Sequence, residues 1–139
     1  AYSFTFPRNQ VLSYTLTAEK ANYFTLNKTI QFSELTIEED NIRNYSTTAL
    51  SWVKLRFFNQ SPLSGDILKY NKNIGKSDCI ECCSEDDVFL YGAVDTTIYC
   101  YNDGNTTYSY FYIVEGTSNQ GYKSTTTVAF DTTEILLNY

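Results

Sequence analysis

Four cysteines, Cys79, Cys82, Cys83 and Cys100, fall inside one stretch of the chain, from Asp78 to Cys100. Thiols at this spacing have three chemistries open to them: a tetrathiolate zinc site, a redox-active Cys-x2-Cys pair, or two disulfides. The zinc reading begins with a proper Cys-x2-Cys, but Cys83 crowds Cys82 and Cys100 stands alone where a second such pair is wanted. Disulfides are therefore expected. A bridge between the neighbours Cys82 and Cys83 would strain the backbone. That leaves Cys79–Cys82 with Cys83–Cys100, or Cys79–Cys83 with Cys82–Cys100. Either pairing places a long-range bridge on Cys100, worth roughly 3 kcal/mol, and holds the acidic loop Ser84 to Asp87 against a sheet.

Other chemistry is limited by what the chain lacks. It has no histidine, which removes Ser-His-Asp and Cys-His catalysis and histidine metal centres. It has no glycine-rich phosphate loop. Carboxylates cluster at Glu38-Glu39-Asp40 and at Glu85-Asp86-Asp87. Adjacent carboxylates usually mark solvated loops, so no enzyme is expected and no catalytic residue is assigned. Calcium is the one cofactor these loops suggest, through Asp78, Glu81, Glu85, Asp86 and Asp87, although their spacing is not that of an EF-hand.

Four sequons, at Asn27, Asn44, Asn59 and Asn105, accompany the cysteines and point to a glycosylated protein of the secretory route. The formal charge of −6 and the absence of a basic cluster argue against nucleic acid or an anionic membrane as partner. No apolar run approaches the roughly 18–20 residues of a membrane span. The chain opens at Ala1 without a signal-peptide pattern, as a processed protein or a segment of a longer one would.

The elements that must carry these residues are strands. Tyrosine, phenylalanine and tryptophan make up 17% of the 139 residues, and strands favour them. Period-two alternation predicts strands at Tyr2–Phe6, Val11–Leu16, Tyr23–Leu26 and Ile30–Ile37, the last with a bulge or break because its apolar parity changes. The strongest runs from Ala49 to Phe58, with Val53, Leu55 and Phe57 as its buried face. Further strands are predicted at Ile67–Tyr70, Val88–Tyr91, Thr97–Tyr101, Tyr108–Val114, Tyr122–Phe130 and Ile135–Tyr139. Asn71–Gly75 reads as a turn, and Asn102-Asp-Gly-Asn as the turn of a hairpin. The expected fold is all-β: one antiparallel, jelly-roll-like, disulfide-stapled β-sandwich covering 1–139.

Within the predicted strand at 108–114, Tyr108, Tyr110 and Tyr112 share one parity and Phe111 and Ile113 the other. The expected arrangement puts Phe111 and Ile113 inside and leaves the three tyrosines as an interaction surface beside the disulfide clamp.

Tyr108-Ser-Tyr-Phe-Tyr-Ile-Val-Glu-Gly, then Gly121-Tyr122 and Thr125-Thr-Thr-Val-Ala-Phe, resembles the closing hairpin of the bacterial pre-peptidase C-terminal domain. Ala21-Asn-Tyr-Phe-Thr-Leu is similar to that family's opening strand, and Gly65-Asp-Ile-Leu-Lys-Tyr partly echoes another. The likeness covers about half the chain, and the cysteines and sequons depart from it. It implies a small extracellular sandwich with an accessory binding or structural role, sometimes linked to calcium.

The functional expectation is a non-enzymatic, secreted glycoprotein with a structural or adhesive role. It would be the repeating subunit of a filament or cell coat, its end strands Tyr2–Phe6 and Ile135–Tyr139 pairing with the edges of neighbours. The alternative is a carbohydrate-binding module that stacks sugars on its tyrosines.

Overall fold

A computed structural model of the chain describes residue 5 and residues 12–139. The predicted strand Tyr2–Phe6 lies outside the described residues, apart from Thr5. The chain divides into two compact units, 1–47 and 48–139.

In the first unit, β1 (Ser13–Ala18) and β2 (Leu26–Gln31) form an antiparallel hairpin in the register Ser13 opposite Gln31 to Ala18 opposite Leu26. The turn between them takes Asn22 through the left-handed region at φ 63°, a conformation asparagine tolerates. A 3-10 turn, Phe32–Glu34, follows β2 directly. The expected strand Ile30–Ile37 is thus cut short after Gln31, and the 3-10 turn spans the parity change between Phe32 and Leu35. Beyond it, the side-chain amide of Asn41 folds onto the main chain of Thr36: Oδ1 accepts the Thr36 N–H and Nδ2 donates to the Thr36 carbonyl, at 2.8 Å each. No described residue of this unit is buried.

The core belongs to the second unit, which is an all-β sandwich. One sheet holds β3 (Leu50–Phe58), β6 (Asp95–Asp103) and β9 (Thr132–Asn138) in the order β6-β3-β9. The other holds β4 (Ile67–Ile74), β5 (Val88–Tyr91), β7 (Thr107–Val114) and β8 (Gln120–Thr126) in the order β5-β4-β7-β8. Pairings are antiparallel except β3 with β9, which run parallel from Trp52 opposite Thr132 to Phe58 opposite Asn138. The C-terminal strand therefore completes its own sheet.

Period-two alternation explains the packing. Val53, Leu55 and Phe57 of β3 point inward as predicted, and Ile135 and Leu137 of β9 join them. From the opposite sheet come Leu68 and Tyr70 of β4 and Tyr108, Tyr110, Tyr112 and Val114 of β7. Phe57 meets Tyr70 at 4.6 Å between ring centroids and Tyr110 at 5.6 Å, the tilted and edge-on geometries that aromatic quadrupoles favour.

Two expectations fail here. Asn102-Asp-Gly-Asn is not a hairpin turn, because β6 and β7 lie in different sheets. It is a corner, and the side chain of buried Asn102 holds it. Asn102 Oδ1 accepts the Lys76 N–H at 2.7 Å, and Nδ2 donates to Thr106 Oγ1 at 3.0 Å. Asn71–Gly75 is not a turn either, since β4 continues to Ile74 across an irregularity in register between Lys72 and Ile74.

Candidate binding surface and the stapled loop

The cysteines pair as Cys79–Cys82 and Cys83–Cys100, with Cα–Cα distances of 5.2 and 5.3 Å. No thiol is left for zinc or for a redox pair. Alternation along β6 turns Cys100 into the space between the sheets, where it is fully buried and accepts a hydrogen bond from the Tyr108 hydroxyl at 3.4 Å. The bridge thus fixes the loop Lys76–Cys83 to the three-stranded sheet.

Lys72 fixes the same loop to the other sheet. It lies on the inward parity of β4, and its side chain is 3% exposed. Its ammonium donates to the main-chain oxygens of Lys76 at 2.6 Å, Cys83 at 2.8 Å and Cys82 at 3.2 Å. An ammonium has three protons, and three acceptors meet them. Burial lowers the Lys72 pKa, and the nearby carboxylates of Glu85 and Asp78 act against that shift. One short loop is therefore tied covalently to one sheet and by charge-assisted hydrogen bonds to the other. In the sequence, Lys72 sits in Asn-Lys-Asn before a glycine, which looks like a solvated turn, so nothing there signals its role.

Over this loop lies an open depression of about 610 Å³, lined by Lys72, Asp78, Cys79, Ile80, Cys83, Glu85 and Asp86 among others. Its carboxylates do not converge. Glu85 accepts from the Ser77 hydroxyl, and Asp86 from Ser84 Oγ at 2.6 Å. Asp87 pairs with Lys69 Nζ at 2.8 Å and accepts from Asn71 Nδ2 at 2.9 Å, contacts that hold its pKa below the usual carboxylate range. Among the described residues no three histidine, cysteine or acidic side chains gather to hold a metal, so the structure does not bring the expected calcium ligands together.

The tyrosine stripe is inverted relative to expectation. Tyr108, Tyr110 and Tyr112 are 1%, 0% and 9% exposed and form the core. They are not an interaction surface. Packing chooses this parity because Phe57, Tyr70 and Tyr110 nest against one another, leaving Phe111 and Ile113 on the outside. Burial raises the Tyr70 pKa to about 12 and lifts those of Tyr108 and Tyr110 further. The Tyr110 hydroxyl has no hydrogen-bond partner among the described groups.

The sequons divide in the same way. Asn27, Asn44 and Asn105 are exposed. Asn59 is 6% exposed, and its Nδ2, the atom a glycan would need, donates to Asp66 Oδ2 at 2.8 Å and to the Gly92 carbonyl at 3.2 Å. Asn59 is a structural amide in this fold, not a glycan acceptor.

The two outward faces of the sandwich differ in chemistry. On the three-stranded sheet, Lys54 pairs with Glu134 at 2.6 Å and Arg56 with Asp95, an ion-paired, solvated surface. That face also carries Trp52 against Tyr101 at 6.2 Å and the exposed Tyr99 among its ion pairs, whereas the four-stranded sheet turns out two aromatic pairs with one central ion pair, Lys69 with Asp87. Phe89 and Tyr91 of β5 lie side by side, 6.5 Å apart with planes 20° from parallel. Phe111 of β7 meets Tyr122 of β8 at 4.9 Å. Tyr91 is 68% and Tyr122 66% exposed. Sequence reasoning missed this face. Val88-Phe89-Leu90-Tyr91 is apolar on both parities, so alternation cannot say which pair points outward.

Comparison with protein-family models, with curated proteins and with solved structures returns no match.

Proposed function

We propose that this chain is a non-enzymatic extracellular glycoprotein with an adhesive or structural role, working through the outer surface of its sandwich. The observation that carries this reading is the aromatic outer face of the four-stranded sheet, set on a scaffold whose two sheets are tied together by one loop. Support also comes from the two disulfides, which persist in oxidising compartments, and from the exposure of Asn27, Asn44 and Asn105. Among the described residues no helix is long and apolar enough to cross a membrane. Self-association has a route in the outer edges of β8 and β9, each seven residues long and each last in its sheet.

Sedimentation and electron microscopy of the protein secreted from eukaryotic cells test the role, together with retention of protein-coated beads on cell-surface and matrix preparations. Ordered oligomers, filaments or specific bead retention are expected. A monomer that neither assembles nor adheres overturns the proposal.

A further inference from the structure

We infer that the outer face of the four-stranded sheet is a binding site for a neutral oligosaccharide, with Phe89, Tyr91, Phe111 and Tyr122 as its stacking platform. The inference rests on the adhesive reading above and names what is adhered to.

Register puts the platform residues on one face, as two neighbouring pairs. Phe89 lies opposite Lys69, Tyr91 opposite Ile67, and Tyr122 opposite Phe111. All point away from the core because Leu68, Tyr70, Tyr110 and Tyr112 take the inward parity. The two aromatic pairs stand at opposite sides of the sheet, three strand spacings or ~14 Å apart across the strands and offset by about two to four residues, ~7–13 Å, along them. That span accommodates a few linked sugar rings.

The chemistry of the face selects the ligand. Tyr91 and Tyr122 expose rings, whose faces carry negative quadrupole charge and attract polarised C–H bonds. Hydrogen-bonding groups share the same parity: Gln120 and Ser124 flank Tyr122 on β8, and Asn71 on β4, between the ring pairs, keeps its amide oxygen while its Nδ2 donates to Asp87 at 2.9 Å. Lys69, at the centre, is neutralised by Asp87 at 2.8 Å. A polyanion therefore finds no unspent cation there. An extended peptide would pair with a sheet edge, not lie on a face. A pyranose ring, apolar on its two faces and hydroxylated around its rim, matches exposed rings flanked by amide and hydroxyl groups.

The experiment probes the intact protein with an array of neutral and acidic oligosaccharides and by co-sedimentation with insoluble cellulose, chitin and β-1,3-glucan. Binding to neutral glycans, insensitive to added salt, is expected. Tyr91→Ala and Tyr122→Ala each weaken it roughly tenfold, the size of one aromatic contact. Tyr99→Ala, on the ion-paired face and 59% exposed, leaves it unchanged. All three tyrosines are exposed, so their variants keep the melting temperature of the parent, and that measurement accompanies each titration. An absence of bound glycan, binding indifferent to Tyr91 and Tyr122, or variants that lose self-association instead overturns the inference. If glycan binding is absent while oligomers or bead retention persist, the inference alone fails; if assembly and adhesion are absent too, the adhesive reading fails with it.

Discussion

Alkaline pH should unfold this domain steeply, because its core contains three phenols that resist ionisation. The folded-state pKa values of Tyr70, Tyr108 and Tyr110 all lie above the ordinary value of 10, through burial. Below pH 10 both folded and unfolded chains keep these protons, and stability is unaffected. Above it, the unfolded chain releases them while the folded chain does not, so stability falls as pH rises. Each tyrosine contributes a slope of about 1.4 kcal/mol per pH unit, and three give about 4. With Tyr70 at about 12, the integrated loss is about 4 kcal/mol at about pH 11 and about 8 at about pH 12. That is comparable with the whole stability of a domain this size, roughly 5–15 kcal/mol. Lys72 works in the opposite sense. Its lowered pKa makes stability rise with pH between that value and 10.5, ahead of most of the tyrosine effect. The assay follows tyrosinate absorbance and far-ultraviolet circular dichroism together during a titration. The share of the absorbance step that belongs to these three of the thirteen tyrosines should coincide with loss of the dichroism. Tyr110→Phe should remove about a third of the slope. It should also add about 1 kcal/mol at neutral pH, because the deleted hydroxyl is buried without a partner. Complete tyrosine ionisation with the dichroism intact would refute the reasoning.

Two further outcomes follow from the geometry. Replacing Cys83 and Cys100 together by serine should cost about 3 kcal/mol in denaturant melts, whereas the same change at Cys79 and Cys82 costs less because that bridge closes a far shorter loop. Gly104→Ala should cost about 1–3 kcal/mol, since the new Cβ would stand 2.6 Å from the Cα of Ala129. Gly65→Ala, with nothing within 4 Å of its new carbon, should leave the melt unchanged or slightly raised.

What was legible in the sequence was local, and what was hidden depended on distant partners. Leu50–Phe58 declared itself because Lys54 and Arg56 alternate with Val53, Leu55 and Phe57, and only one parity of that strand can be buried. Tyr108–Val114 was visible as a strand but not in its orientation. Both of its parities are apolar, and a tyrosine contributes nearly as much burial as a phenylalanine. The choice is made by Phe57 and Tyr70, residues on other strands. Asn102-Asp-Gly-Asn carries a local turn signal, but its use as a corner between sheets depends on Lys76, Thr106 and Thr127, which no local pattern reveals. The two cysteine pairings were equally compatible with spacing. The aromatic outer face could not be read at all until the register of β5 against β4 put Phe89 and Tyr91 on the solvent side.

The parallel pairing of β3 with β9 has a mechanical consequence. Tension drawn between Leu50 at the start of β3 and Asn138 at the end of β9 pulls on opposite ends of one ladder. The hydrogen bonds spanning its seven residue pairs are then loaded together, in shear. An antiparallel hairpin pulled at its two open ends would instead peel, one bond at a time. Along this axis the domain resists force with a whole strand at once, a property suited to a link in a chain that is pulled.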